Sequence, residues 1–545
     1  MIARASRGWR PYLLLSLLCL GLYLPGLASL PVTDRDEARF AQATRQMLET
    51  GDLIRIRFQD EARNKKPAGI YWLQAASVAL FSGAESADIW PYRLPSMLGA
   101  SLAVLLTFAL GRHLVGAPAA LLGAALLASS LTLVSEAHLA KTDAALLACV
   151  VAAQLALGEI YRRHRANAVA GWPWALLFWL ALAGGSLIKG PVAPLLALLT
   201  ALALVIADRE WRWMRGLRPL WGMALFVLLL SPWLIAITKA TGGAFISDSL
   251  THDFAAKLFG AQEGHGAPPG AYLMLLAFAF WPGSLFLPAG FLRAWQEREL
   301  PSQRFLLAWI LPFWAALELV PTKLPHYLLP VYPALALLAA HALFNGLKRP
   351  LWLDGVTALL WAIAGLALAA VLVIAPVHFG HGLSAAAIVV AAIIVIAGGT
   401  LLRRFRREAA PGLAARAAIL ALLAFPPVMA YVAPTLDRLW LSRGAAALVR
   451  QYPPPPGVPI IAIGYNEPSL VFLLGTETKL LPASEAAGAL TAAPGAEALV
   501  ESRADDEFRG ALARIGWTPR PLGRVAGIDY SNGRRMVLTL YAASR

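Results

Sequence analysis

Apolar runs about as long as a membrane is thick are the feature that most constrains the fold of this chain. A bilayer core of about 30 Å requires about 20 apolar residues per helix, and the 545 residues contain thirteen such segments. Only 14% of the residues are charged, against about 25% in an average soluble domain. The sequence therefore predicts an all-α polytopic membrane domain. The predicted spans are residues 11–30, 94–111, 116–135, 143–160, 172–188, 190–207, 219–238, 271–292, 305–320, 327–344, 356–376, 384–402 and 411–433.

Two apolar segments allow other interpretations. Residues 68–82 are apolar but short, which predicts a helix that lies at the membrane interface or re-enters it. The first apolar run follows three arginines and ends near the small residues Ala28 and Ser29, a pattern that also fits a cleaved signal peptide. Its length favours a retained first span.

Arginine and lysine are distributed unevenly between alternate loops. Clusters such as Arg162-Arg163-Arg165 and Arg403-Arg404 alternate with short loops that carry single lysines, such as Lys141 and Lys189. Short cytoplasmic loops are enriched in these cations. This predicts a multi-pass inner-membrane protein with a cytoplasmic N-terminus and, after an odd number of spans, a periplasmic C-terminal domain. The net charge of +15 is then explained by anionic lipid rather than by nucleic acid.

The composition changes to that of a soluble domain after Pro434. Short strands and helices alternate there, and Asn532-Gly533 indicates a final hairpin. Pro453 to Pro456 indicate a stiff spacer before this small α/β domain. The predicted units are a membrane domain (1–433) with a long first periplasmic loop (31–93), a linker (434–457) and a periplasmic α/β domain (458–545).

The strongest polar clusters all fall on the predicted periplasmic side. Asp36 and Arg39 are three residues apart in a segment with helical spacing, so their side chains share one face. Each residue also has an ordinary explanation, because Asp36 and Glu37 suit a helix N-terminus and Lys66 suits an interfacial lysine. Their recurrence at successive helix ends instead indicates one pocket. The remaining members are Asp143, Lys189, Lys323, His326 and Tyr327.

This mixture of charges suits a ligand that combines a phosphate with a lipid tail. Cations hold the phosphate, while a carboxylate acts on a hydroxyl or an amine. The chain has neither a glycine-rich phosphate loop nor an HExxH pattern, which argues against a nucleotide-driven pump and a zinc protease. Cys19 and Cys149 lie in apolar runs, so the sequence predicts neither a disulfide framework nor a zinc site based on cysteine.

Several short motifs resemble those of a known family. The chain reads DEARF at residues 36–40, KKPAG at 65–69, RLPS at 93–96 and KLPHYLLPVYPALAL at 323–337. In this pattern it is similar to the bacterial glycosyltransferases of the dolichyl-phosphate-mannose protein mannosyltransferase superfamily, and within it to the undecaprenyl-phosphate aminoarabinose lipid A transferases. The resemblance implies an integral-membrane glycosyltransferase of type C that uses a polyprenyl-phosphate sugar donor and inverts the anomeric carbon.

The resemblance also implies roles for individual residues. Asp36, its neighbour Glu37 and Asp143 match the acidic catalytic positions. Arg39, Lys66 and Tyr327 match groups at the donor phosphate. Lys189, Lys323 and His326 are further candidates for substrate binding. His265 resembles a histidine that can hold a structural zinc ion, although no cofactor is required. The Lys65-Lys66-Pro67 sequence departs from the family's acid-Lys-Pro and leaves the zinc partner and the donor sugar open.

These observations predict an enzyme that transfers a sugar from a polyprenyl-phosphate donor to a lipid or glycan acceptor, with lipid A first, and that acts as a monomer. A protein O-glycosyltransferase with the same donor is the alternative. A transporter of lipid-linked glycans is a further one, but it should show related halves and a site at the midplane. A membrane anchor for a binding domain leaves the polar helix ends unexplained.

Overall fold

The computed structural model describes residues 2–83, 86–249, 266–346, 350–407 and 411–544, without the side chains of residues 406 and 407. Most of the described chain is helical, and a small mixed sheet follows near the C-terminus. The helices are Ile2–Ala5, Arg10–Tyr23, Asp36–Thr50, Gly69–Phe81, Trp90–Leu114, Ala117–Ala128, Leu131–Ala137, Asp143–Arg165, Trp172–Lys189, Val192–Asp208, Pro219–Thr241, Ala244–Asp248, Ala271–Ala279, Leu287–Gln296, Pro301–Leu319, Tyr332–Asn345, Leu351–Phe379, Ala385–Arg407, Gly412–Pro427, Leu441–Gln451, Pro468–Leu474, Ala483–Ala492 and Asp505–Arg514.

Each predicted span overlaps a helix or a pair of helices, so the predicted fold class is confirmed. Within the described ranges, eight helices are long and apolar enough to cross a membrane, or up to ten if each bent pair counts as one span. Two features account for most of the difference from thirteen. Helices such as Arg10–Tyr23 and Val192–Asp208 are short, and residues 271–292 contain a bend of 120° instead of one straight helix. Residues 68–82 form the short apolar helix Gly69–Phe81, as expected.

The helix Asp143–Arg165, called the central helix below, lies at the core of the bundle. In the apolar 18-residue stretch of this helix, 83% of the residues are buried. This is the pattern of a helix surrounded by other helices rather than by lipid. Gly99 explains one of its close contacts, because a Cβ there would lie 2.6 Å from the Cα of Ala145. Small residues of this kind allow membrane helices to approach closely. The central helix therefore has a fixed position relative to its neighbours.

The C-terminal domain is a five-stranded mixed sheet with helices packed on it. Its strands are β3 (Ile461–Ile463), β4 (Lys479–Leu480), β5 (Glu497–Glu501), β6 (Thr518–Asp529) and β7 (Arg534–Ser544), in the order β4-β3-β5-β7-β6. Strands β3, β4 and β5 are parallel, and β6 and β7 form the antiparallel hairpin predicted from Asn532-Gly533. A separate two-stranded ribbon, β1 (Arg57–Phe58) with β2 (Glu61–Ala62), lies in the first loop.

The segment predicted as a linker is partly folded. It contains the helix Leu441–Gln451, whose buried side chains Leu441, Ala445 and Val449 belong to the apolar core of the C-terminal domain. The pattern LSRGAAALVRQ has its apolar residues at helical spacing, and these residues pack beneath the sheet. The domain therefore begins before residue 458, and only a short stretch remains extended.

The C-terminal domain packs directly on the first loop. Phe472 is buried among residues of the membrane domain and lies edge-on to Tyr92, with ring centroids 5.3 Å apart. The guanidinium of Arg45 donates to the carbonyl of Phe472 at 3.0 Å, and Gln42 donates to Thr476 Oγ1 at 2.7 Å. The first loop and the C-terminal domain therefore lie at the same end of the bundle.

Candidate active site

The acidic motif opens the helix Asp36–Thr50, called the motif helix below. Arg35, just before it, has φ 61° and ψ −103°, a backbone conformation that costs about 1–3 kcal/mol in a residue other than glycine. The C-terminal domain holds this turn in place. The Arg35 guanidinium donates to the Ser531 carbonyl at 3.0 Å, the Asp34 amide donates to the Tyr530 hydroxyl, and the Asp34 carboxyl is hydrogen-bonded to Ser469. Asp36 therefore begins the helix from a turn that a second domain fixes.

Glu37 has a structural position in the fold. Its side chain and that of Arg93 are fully buried, and the two form a bidentate ion pair at 2.8 and 2.9 Å. Glu37 also accepts the amides of Thr33 and Ala140, both at 2.8 Å. Burial alone would raise the pKa of Glu37, but Arg93 and these amides hold it below its usual value. This geometry does not fit the predicted catalytic role, because no part of the carboxylate faces open space.

Three helix ends bring a buried cluster of acids and bases together. Asp143 Oδ1 lies 2.6 Å from Lys189 Nζ, and Glu136 Oε1 lies 3.2 Å from Lys141 Nζ. His326 lies between the two pairs, with Nδ1 3.7 Å from Glu136 and Nε2 4.0 Å from Asp143. These five residues are called the acid–base cluster below. The predicted residues Asp143, Lys189 and His326 are therefore brought together by the fold.

Tyr327 forms one wall of this cluster. The Lys189 ammonium lies 5.3 Å from the centroid of the Tyr327 ring, a distance at which a cation is attracted to an aromatic face. The ring is also edge-on to His326, with centroids 5.0 Å apart. Tyr327 therefore lies beside a lysine of the cluster, and its role at the donor phosphate stays a prediction.

Asp36 faces the acid–base cluster from the motif helix. Its side chain is exposed to solvent, although the protein around it is dense enough that burial alone would raise its pKa. The positive charges of Lys141, Arg63 and Arg39 outweigh this effect and hold the pKa of Asp36 below its usual value. Burial likewise opposes the charge of Lys141, but Glu136, Asp143 and Asp36 raise its pKa. Asp36 is therefore an ionised, accessible carboxylate among cations.

The predicted phosphate-binding segment lies between the motif helix and the helix that ends at Lys189. Arg63 donates to the Tyr71 hydroxyl at 3.3 Å and lies 5.0 Å from the Phe40 ring centroid. A Cβ at Gly69 would lie 2.7 Å from the Leu187 carbonyl oxygen, so glycine permits a close approach to the helix that ends at Lys189. The half-buried Lys66 lies between these two anchored positions.

An apolar cavity adjoins the acid–base cluster. Its volume is about 310 Å³, and its walls include Leu131, Leu275 and Phe278. Glu136 and His326 also line it. A hydrocarbon chain in this cavity would therefore end at the polar cluster.

Two predicted residues lie elsewhere. Lys323 donates to the carbonyls of Glu318 and Val320, at 3.0 and 2.7 Å, and so caps the end of the helix Pro301–Leu319. Two of the three ammonium donors are thus used by backbone carbonyls, and the substrate-binding role of Lys323 stays a prediction. His265 lies outside the described residues. Among the described ones, no group of three or more His, Cys, Asp or Glu side chains could hold a metal ion, and the zinc ion stays a prediction.

The sequence interpretation did not select three residues that the structure places at the site: Glu136, Lys141 and Arg63. Lys141 is two residues before Asp143, and Glu136 follows the break between two helices, so both occupy a helix end like the residues that were selected. That position was the available signal. Arg63 had none, because its contact with the motif helix depends on how the first loop folds back.

Comparisons with known proteins agree with this architecture. Over 97% of both chains the fold matches the crystal structure of ArnT from Cupriavidus metallidurans bound to undecaprenyl phosphate, with a TM-score of 0.73 and 20% identity. It also matches the Archaeoglobus fulgidus oligosaccharyltransferase AglB, with a TM-score of 0.50 and 12% identity over 90% of this chain and 69% of that one. The fold therefore defines the class, a multi-pass membrane protein with the fold of these integral-membrane transferases.

Sequence similarity points to particular relatives within this class. Residues 65–235 match the family model described as dolichyl-phosphate-mannose-protein mannosyltransferase. The undecaprenyl phosphate-alpha-4-amino-4-deoxy-L-arabinose arabinosyl transferase of Pseudomonas paraeruginosa is 34% identical over 66% of this chain and 64% of its own. A Pseudomonas fluorescens protein of that name is 33% identical over 66% and 65%. The matches span just under two thirds of these relatives, and they confirm the resemblance predicted from the motifs.

Proposed function

We propose that the protein is an inverting glycosyltransferase that moves a sugar from a polyprenyl-phosphate donor to an acceptor of the bacterial envelope. The observation that carries this proposal is the position of Asp36. It is an ionised, accessible carboxylate among Lys141, Arg63 and Arg39, next to a cluster that an apolar cavity reaches. A lipid-linked sugar phosphate needs these three environments together: apolar walls, cations and a carboxylate.

The donor would occupy the apolar cavity with the first part of its polyprenyl chain. Its phosphate would then meet Arg39, Lys66 and Tyr327, with Lys189 close to the tyrosine ring. The phosphate becomes the leaving group and gains negative charge in the transition state. Fixed cations in a site with little water stabilise this charge strongly, so the departure of the phosphate needs no nucleotide.

Asp36 would act on the acceptor. An acceptor hydroxyl needs a base to take its proton, and an ionised carboxylate within hydrogen-bond reach serves this purpose. An acceptor phosphate is already ionised, and in that case Asp36 orients it and balances the cations. Asp143 is held by Lys189 at 2.6 Å and keeps that lysine in place.

The relatives favour 4-amino-4-deoxy-L-arabinose as the sugar, because that sugar appears in their names. Lipid A is the acceptor that the motif resemblance implies. A protein acceptor is not favoured, because the likeness to the oligosaccharyltransferase is weaker, with a TM-score of 0.50. The charge distribution supports transfer at the periplasmic face of the inner membrane.

Transfer to lipid A by the Asp36→Asn variant tests this proposal. We expect turnover to fall by about 100-fold or more, the usual contribution of a general base, with normal expression and thermal stability. Asp60→Asn is the matched control, because Asp60 is an exposed carboxylate of the same loop. The readout is mass spectrometry of envelope lipids from cells that express each variant. Full transfer by Asp36→Asn would remove Asp36 from the site, and unmodified lipids in all cells would refute lipid A as the acceptor.

We also propose that the reaction needs no metal cofactor. The cations of the site support this, since Lys66, Arg39 and Lys141 already supply positive charge where the phosphate leaves. We expect the purified protein to retain its turnover after exhaustive treatment with EDTA. Loss of turnover that added zinc restores would contradict this proposal and would assign a role to His265.

A further inference from the structure

A second polar site lies at the opposite end of the bundle. The central helix runs from Asp143, in the acid–base cluster, to Arg165. Its 23 residues span about 34 Å at 1.5 Å per residue. The helices Trp172–Lys189 and Pro219–Thr241 both begin near Arg165 at this end. All three are candidate membrane spans, so their shared end marks a membrane–water boundary.

A cavity of about 320 Å³ opens where these three helices meet. Its side chains come from the end of the central helix and from the short 3-10 helix Arg212–Leu217. Among its described lining residues four side chains are basic or can become so, and none is acidic. These are His164, Arg212, Arg215 and Arg218.

Two donors at this cavity have no partner within the described chain. The Nε of Arg218 and the indole nitrogen Nε1 of Trp213 are buried and make no hydrogen bond there. Both residues line the cavity. Buried polar groups are almost always hydrogen-bonded, so two unsatisfied donors on residues that line one cavity indicate an acceptor that binds here. The Arg218 guanidinium also lies 4.0 Å from the centroid of the Trp172 ring, which fixes its position.

The carboxylates nearby do not neutralise this site. Glu210 accepts the backbone amide of Arg212 at 3.1 Å. Glu159, six residues before the end of the central helix, is engaged by Arg162 and Arg163 at 2.9 and 3.4 Å. Among the described residues no carboxylate forms an ion pair with Arg212, Arg215 or Arg218, so the guanidinium groups of the cavity keep a net positive charge.

Apolar and aromatic side chains surround the cavity on the outside. Trp172, Trp211 and Trp221 are more than half exposed, and Leu220 is 86% exposed. Tryptophan concentrates at membrane–water interfaces, and the exposed leucine suits contact with acyl chains. The ligand that reaches the cavity therefore comes from the membrane surface.

We propose that this cavity binds the phosphate of an anionic membrane phospholipid. The arginine fork matches phosphate geometry with paired hydrogen bonds, and basic pockets between membrane helices hold anionic head groups in this manner. The site lies about 34 Å from the acid–base cluster by the length of the central helix, so it is separate from the donor site. It does not depend on the proposed transferase activity, because its ligand is a lipid of the opposite membrane face.

Native mass spectrometry of the full-length protein in detergent tests this inference. The probes are dioleoyl phosphatidylglycerol, dioleoyl phosphatidylcholine with the same acyl chains, and inorganic phosphate. The test variant is Arg212→Gln/Arg215→Gln, both exposed residues of the cavity. The matched control is Arg403→Gln/Arg404→Gln, which removes two exposed arginines at the same end of the bundle but outside the cavity.

We expect the wild type and the control to bind phosphatidylglycerol in preference to phosphatidylcholine. The test variant should lose about tenfold or more in affinity for phosphatidylglycerol, since each interfacial arginine contributes about 1 kcal/mol. Equal binding of the two lipids, or an unchanged affinity in the test variant, would overturn the proposal. Displacement of the bound lipid by millimolar inorganic phosphate would overturn the lipid as the ligand and assign the cavity to free phosphate. Normal thermal stability of both variants shows that the comparison reports on binding.

Discussion

Lys141 connects Asp36 to the rest of the site through charge. Its ammonium lies 3.2 Å from Glu136. Of the cations around Asp36, Lys141 lowers the pKa of Asp36 the most. In its proposed role Asp36 must be ionised to accept a proton, so we expect activity to fall as the pH drops through the pKa of Asp36. Lys141 therefore extends the active range towards lower pH.

Replacement of this lysine should be visible in the pH profile. In Lys141→Gln the pKa of Asp36 rises, so we expect the acidic limb of the pH–rate profile to move to higher pH. We also expect turnover at pH 7 to fall by about tenfold, or about 1.4 kcal/mol in the barrier. Lys65→Gln is the control, since Lys65 is an exposed lysine of the first loop. A profile of unchanged shape in Lys141→Gln would show that Lys141 does not act through Asp36.

At the residue scale, the sequence predicts members of the candidate site only where they lie at helix ends, because such residues can meet only side chains at the same end of the bundle. Asp143, Lys189 and His326 lie at helix ends on one side of the bundle, and the fold brings them together. Glu37 lies next to Asp36 in the chain but turns inward to Arg93, 56 residues away. Sequence alone does not reveal such a distant partner. The partners of Lys323, the carbonyls of Glu318 and Val320, are only five and three residues away, but the sequence does not show that the side chain turns back to them.

At the scale of elements, the contact between two helices places the phosphate-binding segment. Gly69 starts the short helix Gly69–Phe81 and touches the Leu187 carbonyl of the helix that ends at Lys189. A methyl group has no room there, since the nearest atoms belong to the backbone. The close approach of this helix to the helix that ends at Lys189 therefore requires glycine at position 69.

Gly69→Ala should separate the two helices. Overpacking of this kind costs about 1–3 kcal/mol, so we expect a lower melting temperature in detergent. We also expect a higher KM for the lipid-linked donor, because Lys66 moves with the helix. Gly399→Ala is the control, since a Cβ at Gly399 meets nothing within 4 Å. An unchanged donor KM in Gly69→Ala would show that donor binding does not depend on this helix contact.

The elements themselves were predictable because composition determines them locally. The length of the apolar runs identified the membrane helices. The alternation of short strands and helices identified the C-terminal domain, and the Asn532-Gly533 turn identified its hairpin β6–β7. The bend of 120° between Ala271–Ala279 and Gly283–Gln296 was not predicted. The run of apolar residues continues through the bend. At the bend, the Leu131 amide donates a hydrogen bond to the Trp281 carbonyl, and the Thr132 hydroxyl donates one to the Ala279 carbonyl.

At the scale of the whole molecule, the docking of the C-terminal domain should depend on pH. Burial, with Glu467 and Asp529 nearby, raises the pKa of Asp34 to about 8 from its ordinary value of 3.8. A group with a raised pKa stabilises the docked state fully below its ordinary pKa and loses that effect as the pH rises through the raised value. The contact of Asp34 with Ser469 is therefore strongest when Asp34 is protonated, and it weakens between about pH 4 and pH 8.

Distance measurements between spin labels at Asp60 and Glu507, both exposed, would report this docking. We expect the distance distribution of the wild type to broaden as the pH rises from 6 to 9. Asp34→Asn should show little change over this range, because the amide does not ionise. Asp88→Asn, an exposed carboxylate of the same loop, should behave like the wild type. A distribution that broadens equally in Asp34→Asn would refute the role of Asp34.

The strained turn before Asp36 is held by residues that the ribosome makes last. Asp34 and Arg35 bond to Tyr530 and Ser531, each 496 positions later in the chain. During biosynthesis the Asp36 carboxylate therefore enters the membrane long before its support exists. A nascent or prematurely terminated chain has its membrane helices but cannot complete the turn. Under the proposed function, unfinished copies of the protein are therefore inactive.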